Sequence, residues 1–189
     1  VVNGEYRGVY ILMEKIKTNF KDLYIIKSDN HEDSRGYLRE IYKKNLFKHQ
    51  FIFDYYSFSK KNVIRGMHFQ ISDQQDKLIT VIKGHIKDFC IDLRKNSKTF
   101  LKTFELNLSA KNGMSLLIPK GFAHGFLALN KENIVLYKNS KYRKSAKEMG
   151  INIFDKDLGL RLKKMNYIVS DKDKKNLNLK IFLKKYKSL

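Results

Sequence analysis

The chain has one cysteine, one proline, no tryptophan and only 10 glycines in 189 residues. The single thiol, Cys90, excludes a disulfide framework and a cysteine-rich zinc site, and it fits a reducing compartment. So little proline and glycine excludes a collagen-like or low-complexity chain. Acidic residues are few too: 19 Asp and Glu stand against 39 Lys and Arg, a formal net charge of +20. No run approaches the roughly 20 apolar residues of a membrane span. Val9–Met13 is apolar but short, charged residues follow at once, and no small-residue cleavage site accompanies it, so it does not read as a signal peptide. These absences set the expectation of a cytoplasmic protein with no membrane partner. Met13 opens a clean segment, and residues 1–12 are expected to be an extension that the fold does not need.

What is present is enough for a core. Hydrophobic residues make up 42% of the chain, which argues against global disorder. The positive charge fits nucleic acid on its face. However, lysine dominates over arginine and is scattered, and Arg161–Leu189 alone holds ten Lys/Arg against two Asp. A polyanionic small molecule such as a nucleoside diphosphate satisfies the same signal with a few cations, so no nucleic-acid partner is expected. From residue 20 to 155, short runs rich in Ile, Val, Phe and Tyr alternate with polar or glycine-containing breaks. The runs are Leu23–Lys27, Gly36–Ile41, Phe51–Ser59, Asn62–Phe69, Lys77–Ile82, His85–Leu93, Leu101–Leu108, Ser115–Ile118, Phe126–Ala128 and Asn133–Lys138. Tight turns are expected at Lys83-Gly84 and at Ser109–Gly113, where Asn112-Gly113 supplies positive φ. Many strands without long helices between them predict an all-β antiparallel sandwich or barrel in one domain. Beyond Leu158 the pattern loosens. Asn176–Tyr186 reads as a short amphipathic helix, with Leu177 and Ile181 opposite Lys184 and Lys185.

Three stretches carry chemistry: Asp33–Glu40; Ser57–Gln70 followed by Lys77; and Ile118–Phe126 followed by Tyr137. Arg65 and His68 are an odd number apart, so an unbroken strand would face them oppositely. Gly66 between them allows a bulge that re-aims one. A histidine set between Met67 and Phe69 is either a satisfied core residue or a general base, since imidazole titrates near neutral pH. Pro119 and Gly121 force a turn, after which His124-Gly125 reads either as a loop histidine or as a close approach to a ligand. No His-x-His pair of the kind used by metal-binding barrels is present, so no metal is expected.

Taken in order, several motifs resemble one family. They are Asp33-x-Arg35-Gly36, Ser57-x-Ser59, Arg65-Gly66-x-His68-x-Gln70, Lys77-Leu78, Asp88-x-x-x-Asp92-x-Arg94-x-x-Ser97-x-Thr99-Phe100, Ile118-Pro119-x-Gly121-Phe122-Ala123-His124-Gly125-Phe126 and Leu136-Tyr137-Lys138. From about Lys15 to Lys175 the chain resembles the dTDP-4-dehydrorhamnose 3,5-epimerase family. The resemblance implies a double-stranded β-helix (jelly roll, cupin-like) with a short C-terminal helical segment, a homodimer with strand exchange, and no metal or organic cofactor. It implies inversion at C3 and C5 of a nucleotide-linked 4-keto sugar: a base removes a proton beside the ketone, an enolate forms, and an acid reprotonates the other face. His68 matches the base, Asp173 its carboxylate partner (with Asp171 close by), Lys77 the cation at the keto oxygen and Tyr137 the acid. Arg35, Glu40, Arg65, His124, Arg143, Glu148 and Lys172 match substrate-binding positions, Arg35 serving the neighbouring subunit's site.

The chain departs from the family where Phe53-Asp54-Tyr55 replaces Gln-Asp-Asn and where Arg143 replaces a tyrosine that stacks on thymine. The usual C-terminal tryptophans are also absent. These changes point to another sugar nucleotide, such as a GDP-linked 4-keto heptose or hexose built into capsular polysaccharide. The alternatives are a sugar-nucleotide 3,4-ketoisomerase on the same fold, or a basic nucleic-acid-binding module.

Overall fold

A computed structural model describes residues 12–47, 50–143 and 147–186. Of the expected extension, residues 1–11 therefore lie outside the described residues. Leu12 is exposed, and its carbonyl accepts a hydrogen bond from the Asp29 amide at 3.2 Å.

Two antiparallel sheets face each other. The first runs in the order β1 (Met13–Lys17), β2 (Tyr24–Ser28), β10 (Met114–Ile118), β7 (Lys77–Lys83), β12 (Glu132–Asn139), β5 (Phe53–Lys60). The second runs β13 (Glu148–Gly150), β6 (Val63–Gln70), β11 (Phe122–Ala128), β8 (His85–Asp92), β9 (Thr103–Ser109), with β14 (Ile168–Val169) added parallel to β6. From β5 to β8, and again from β9 to β12, the chain crosses between the sheets at each successive strand. That winding is the jelly roll the sequence leads one to expect. A two-stranded hairpin, β3 (His31–Asp33) and β4 (Gly36–Leu38), stands apart from both sheets.

Alternation along the strands sorts side chains between layers. On β11, Phe122, Phe126 and Ala128 enter the core between the sheets, where Ile79, Val81, Ile86, Leu116 and Val135 meet them. Ala123 and Leu127 point the other way, into a second core with Phe69, Phe89, Ile151 and Phe182. That core is closed by the C-terminal segments, including α1 (Asp171–Lys174) and α2 (Leu179–Lys185). Both faces of β11 are therefore covered, and all seven of its residues are buried.

Several expectations shift in detail. β1 was not anticipated, because Met13–Lys17 mixes charge with apolar residues and is held by pairing with β2. The strand expected from Gly36 to Ile41 ends at Leu38. The one expected from Leu101 starts at Thr103, because Leu101 adopts a positive φ of 61°. The expected C-terminal helix is shorter and turns a different face inward. Leu179 and Phe182 are its buried residues, whereas Ile181 is 50% exposed.

A polar clamp fixes the entry to β11. Asp92, fully buried, accepts five hydrogen bonds: from the Arg94 amide, Arg94 Nε and Nη2, Ser97 Oγ and Thr99 Oγ1, at 2.6–3.0 Å. Arg94 in turn lies under Gly121, where an added Cβ would come within 2.4 Å of its side chain. Burial alone would raise the Asp92 pKa, but the bonds from Arg94, Ser97 and Thr99 outweigh it and hold the carboxyl below its usual range. A lowered folded-state pKa means that Asp92 contributes stability above the unfolded value of about 4, and that this is lost as pH falls toward the folded value. Asp92→Ala is expected to destabilise the fold by about 3 kcal/mol, the cost of stranding a partly buried guanidinium. In urea titrations over pH 2–7, Asp92→Asn should flatten the acid limb of stability that the parent shows.

Candidate active site

The inner ends of β5, β6, β7, β11 and β12 enclose a cavity of about 110 Å³ lined by Tyr55, Ser57, Arg65, His68, Lys77, His124, Gly125, Phe126, Tyr137, Arg143 and Glu148. It adjoins an open cleft of about 410 Å³ between β6, β14 and α1, lined by Arg65, His68, Arg143, Glu148, Ser170, Lys172 and Asp173 among others.

β6 delivers both Arg65 and His68 to this space because it is irregular. His124 pairs with His68 while Phe126 pairs with Arg65, so three steps on β6 match two on β11. Gly66 sits at the irregularity with φ of 119°, and a Cβ there would lie 2.5 Å from the Gly125 Cα. No larger residue fits, and the bulge anticipated at Gly66 is what turns the two side chains to one side.

The His68 ring meets Asp173 at 2.7 Å from Nε2 to Oδ1. Asp173 lies in α1, capped by Ser170, whose Oγ accepts the Asp173 amide at 3.1 Å. Its second oxygen accepts the Gly66 amide at 3.2 Å. Burial pushes the Asp173 carboxyl up, but the hydrogen bond and charge of His68, with the Gly66 bond, hold it below the ordinary value. An ionised carboxylate can only accept, so the bonded Nε2 carries a proton, and in the neutral ring Nδ1 is the nitrogen left with a lone pair. Asp171, the neighbouring candidate, is instead 87% exposed and bonded to Lys174.

His124 is no loop residue. It lies within β11, buried, with Nε2 2.7 Å from Oδ2 of fully buried Asp88. Burial pushes the Asp88 carboxyl up, against the pull of His124. Tyr137 is 6% exposed. Its ring stacks on Tyr55 at 4.6 Å and meets His124 edge-on at 6.4 Å. Burial raises its pKa well above that of a free phenol, so it keeps its proton. Lys77 opens β7, next to Asp76, whose carboxylate accepts from the Lys120 amide at 3.0 Å and Ser140 Oγ at 3.2 Å. Burial lowers the Lys77 pKa, and no salt bridge to its ammonium forms among the described residues.

At the wall between cavity and cleft, Glu148 takes Arg143 bidentately at 3.0 Å twice, and Lys172 at 2.7 Å. Burial opposes its ionisation, but these bonds and the nearby His68 bring its pKa down to about 2. Arg65 donates to Ser59 Oγ and the Phe58 carbonyl, both at 3.0 Å.

Every site residue read from the sequence thus lines the cavity or the cleft, apart from Arg35 and Glu40. Arg35 is 88% exposed and bonded to Asp33 in the hairpin, and Glu40 pairs with Lys43 at 2.5 Å. Tyr55, Ser57, Gly125 and Phe126 also line the cavity, although sequence reasoning assigned them no role. The signal for two of them was the alternation Tyr55-x-Ser57, which puts both on the inward face of β5. Among the described residues, no group of three or more His, Cys, Asp or Glu is placed to hold a metal ion, and no helix is long and apolar enough to cross a membrane.

Comparison with known proteins fits this geometry. The family model described as dTDP-4-dehydrorhamnose 3,5-epimerase matches residues 17–180. The dTDP-4-dehydrorhamnose 3,5-epimerase of Shigella flexneri is 37% identical over 168 residues, 85% of this chain and 93% of its own length. That of Methanothermobacter thermautotrophicus is 40% identical over 150 residues, 77% of this chain and 81% of its own. Among solved structures, the Bacillus anthracis enzyme with TDP and PPi bound is 39% identical, with a TM-score of 0.85 over 89% of this chain and 100% of that one. The Legionella pneumophila enzyme in complex with dTDP-4-keto-L-rhamnose is 31% identical, with a TM-score of 0.87 over 93% and 97%. The chain belongs to the dTDP-4-dehydrorhamnose 3,5-epimerase family.

Proposed function

We propose that this protein is a cofactor-independent isomerase that inverts C3, C5 or both in a nucleoside-diphosphate-linked 4-keto sugar, in deoxysugar biosynthesis. The observation that carries the reading is one cavity bordered by a carboxylate-bound imidazole, a proton-retaining phenol and a half-buried ammonium. His68 Nδ1 takes the proton from carbon beside the ketone, and Asp173 steadies the imidazolium that forms. Negative charge moves to the C4 oxygen, where Lys77 meets it. Desolvation lowers the pKa of the Lys77 ammonium, and a developing enolate oxygen beside it favours its charged form. Tyr137 returns a proton to the opposite face and recovers one from solvent after release. This sequence needs both groups on one substrate, which a 3,4-ketoisomerase does not require of Tyr137. The named relatives favour a dTDP-linked sugar. The departures at Phe53, Tyr55 and Arg143 make a GDP-linked one the next to try.

The same reading includes a homodimer. The β3–β4 hairpin extends Arg35, Tyr37 and Leu38 into solvent, Tyr37 and Leu38 being 54% and 59% exposed. No strand of the two main sheets pairs with it. An arginine that lines neither space of its own chain supports a role in a neighbour's site, and a cytoplasmic location accords with the single buried thiol.

Deuterium incorporation from D₂O into the 4-keto sugar, followed by NMR, tests the chemistry. His68→Ala should lower exchange by about 10³-fold, and undiminished exchange would refute the base. Tyr137→Phe should keep exchange at the carbon deprotonated by His68 while inversion drops by about 10²-fold or more. The dimer reading makes a separate prediction. Arg35→Ala and His68→Ala chains, each poorly active alone, should regain activity when refolded together, because one mixed site is intact. Strictly additive activity in the mixture would show that Arg35 does not cross between subunits.

A further inference from the structure

The inner cavity, at about 110 Å³, is smaller than the roughly 300 Å³ at which small-molecule pockets begin. A nucleotide sugar must therefore occupy the cleft of about 410 Å³ as well. The two spaces share Arg65, His68, Arg143 and Glu148. The Arg143–Glu148 pair belongs to that shared wall, so a substrate spanning both spaces meets it.

We propose that Arg143 is the diphosphate-selecting residue of this site: held on Glu148 by two parallel bonds, it transfers to the substrate's diphosphate and joins cavity and cleft into one. The proposal rests on the nucleotide-sugar reading above and adds to it how the anion is selected. Three features of the cluster suit such an exchange. First, Arg143, Lys172 and Glu148 form a set of two cations and one anion, so one positive charge is in excess before any ligand arrives. Second, when Arg143 leaves, Glu148 keeps Lys172 at 2.7 Å. Without that second cation, a carboxylate only 8% exposed would be stranded, at prohibitive cost. Third, Arg143 itself is 45% exposed and so is free to swing. A guanidinium that grips a carboxylate through two parallel bonds grips a phosphate in the same way. Glu148 stays ionised at any working pH, since its pKa lies at about 2. The pair therefore opens to a competing anion rather than to protonation.

Selectivity follows from the chemistry of the side chain. A guanidinium engaged with the diphosphate reads the phosphate chain and leaves the base less tightly specified. Arg65 and Lys77 remain in the cavity, so removing Arg143 weakens anion binding without abolishing it.

Isothermal titration of dTDP, dTMP and inorganic pyrophosphate against the full chain tests this, with Arg143→Ala, Arg143→Lys and Glu148→Gln compared with the parent. The parent should prefer dTDP to dTMP. Arg143→Ala should raise the dTDP Kd by about 10- to 100-fold and move the dTMP Kd by less than about 3-fold, collapsing the ratio. Arg143→Lys, which keeps charge but loses the fork, should fall between. Glu148→Gln releases Arg143 and should tighten pyrophosphate severalfold. Equal weakening of dTDP and dTMP in Arg143→Ala, or no tightening in Glu148→Gln, overturns the proposal. A parent that prefers the diphosphate through Arg143 yet exchanges no sugar proton upholds Arg143 and refutes the epimerase reading. Proton exchange with an unaltered dTDP/dTMP ratio in Arg143→Ala refutes Arg143 alone.

Discussion

The bond between His68 and Asp173 joins positions 105 residues apart, and much of the architecture can be understood from what that bond requires. A carboxylate serves an imidazole well only if it is held dry, ionised and still. Asp173 is 6% exposed, capped through Ser170, and tied by its second oxygen to Gly66 on the same strand as His68. Short helices such as α1 are not stable alone. This one persists because β14 adds to β6 and because Ile151, Leu158, Leu179 and Phe182 seal the outer face of the second sheet. The C-terminal layer thus makes the second core, and through that core it fixes Asp173 against the His68 ring.

Two histidine–aspartate pairs border the same space, and their environments separate them. His68 is partly open to the cleft, and its aspartate is held ionised. His124 is buried, and its aspartate is driven toward the neutral form by a fully enclosed setting beside Cys90. The first pair alone combines access to the cleft with an aspartate held below its usual pKa. The second, edge-on to Tyr137, is placed to brace the phenol and the back wall. One fold thereby sets two chemically similar pairs in unlike environments.

Much of this was legible in the chain, for identifiable reasons. Strand-forming runs and the turns at Lys83-Gly84 and Asn112-Gly113 depend on local backbone preferences, and Gly84 and Gly113 both take positive φ. The bulge at Gly66 was readable because period-two geometry left no other way to aim Arg65 and His68 together. Less legible were features set by tertiary pairing. β1 lacks alternation, and only β2 makes it a strand. His124 follows a proline–glycine turn and reads in sequence as either a loop residue or a close approach to a ligand, and neighbours on both sides hold it in a strand whose seven residues are all buried. α2 turns Phe182 inward rather than Ile181, because the aromatic ring meets Phe69 across the second core at 6.2 Å. The resemblance named Asp173 rather than the nearby Asp171, and in three dimensions Asp173 lies against the imidazole while Asp171 bonds Lys174. Arg35 and Glu40 match the family pattern in sequence, but within one chain they stand away from the cavity, where no single-chain argument could place them.

The charge that dominates the composition acts on a different length scale from the site. Inside the site the cations are few and mostly committed: Arg65 to Ser59 and Phe58, and Arg143 and Lys172 to Glu148. These fix geometry over a few ångströms and are weakly screened, because the anion they share is nearly enclosed. Apart from Lys77 in the cavity, most other lysines among the described residues are exposed, where each pairwise interaction is small and falls away beyond a Debye length of about 8 Å at physiological salt. Their sum is a positive field that raises the encounter rate of an anionic ligand without choosing its pose. Approach and selection are therefore separable in this molecule. Salt weakens the first, while the second depends on whether an incoming anion can replace a carboxylate in the fork of one arginine.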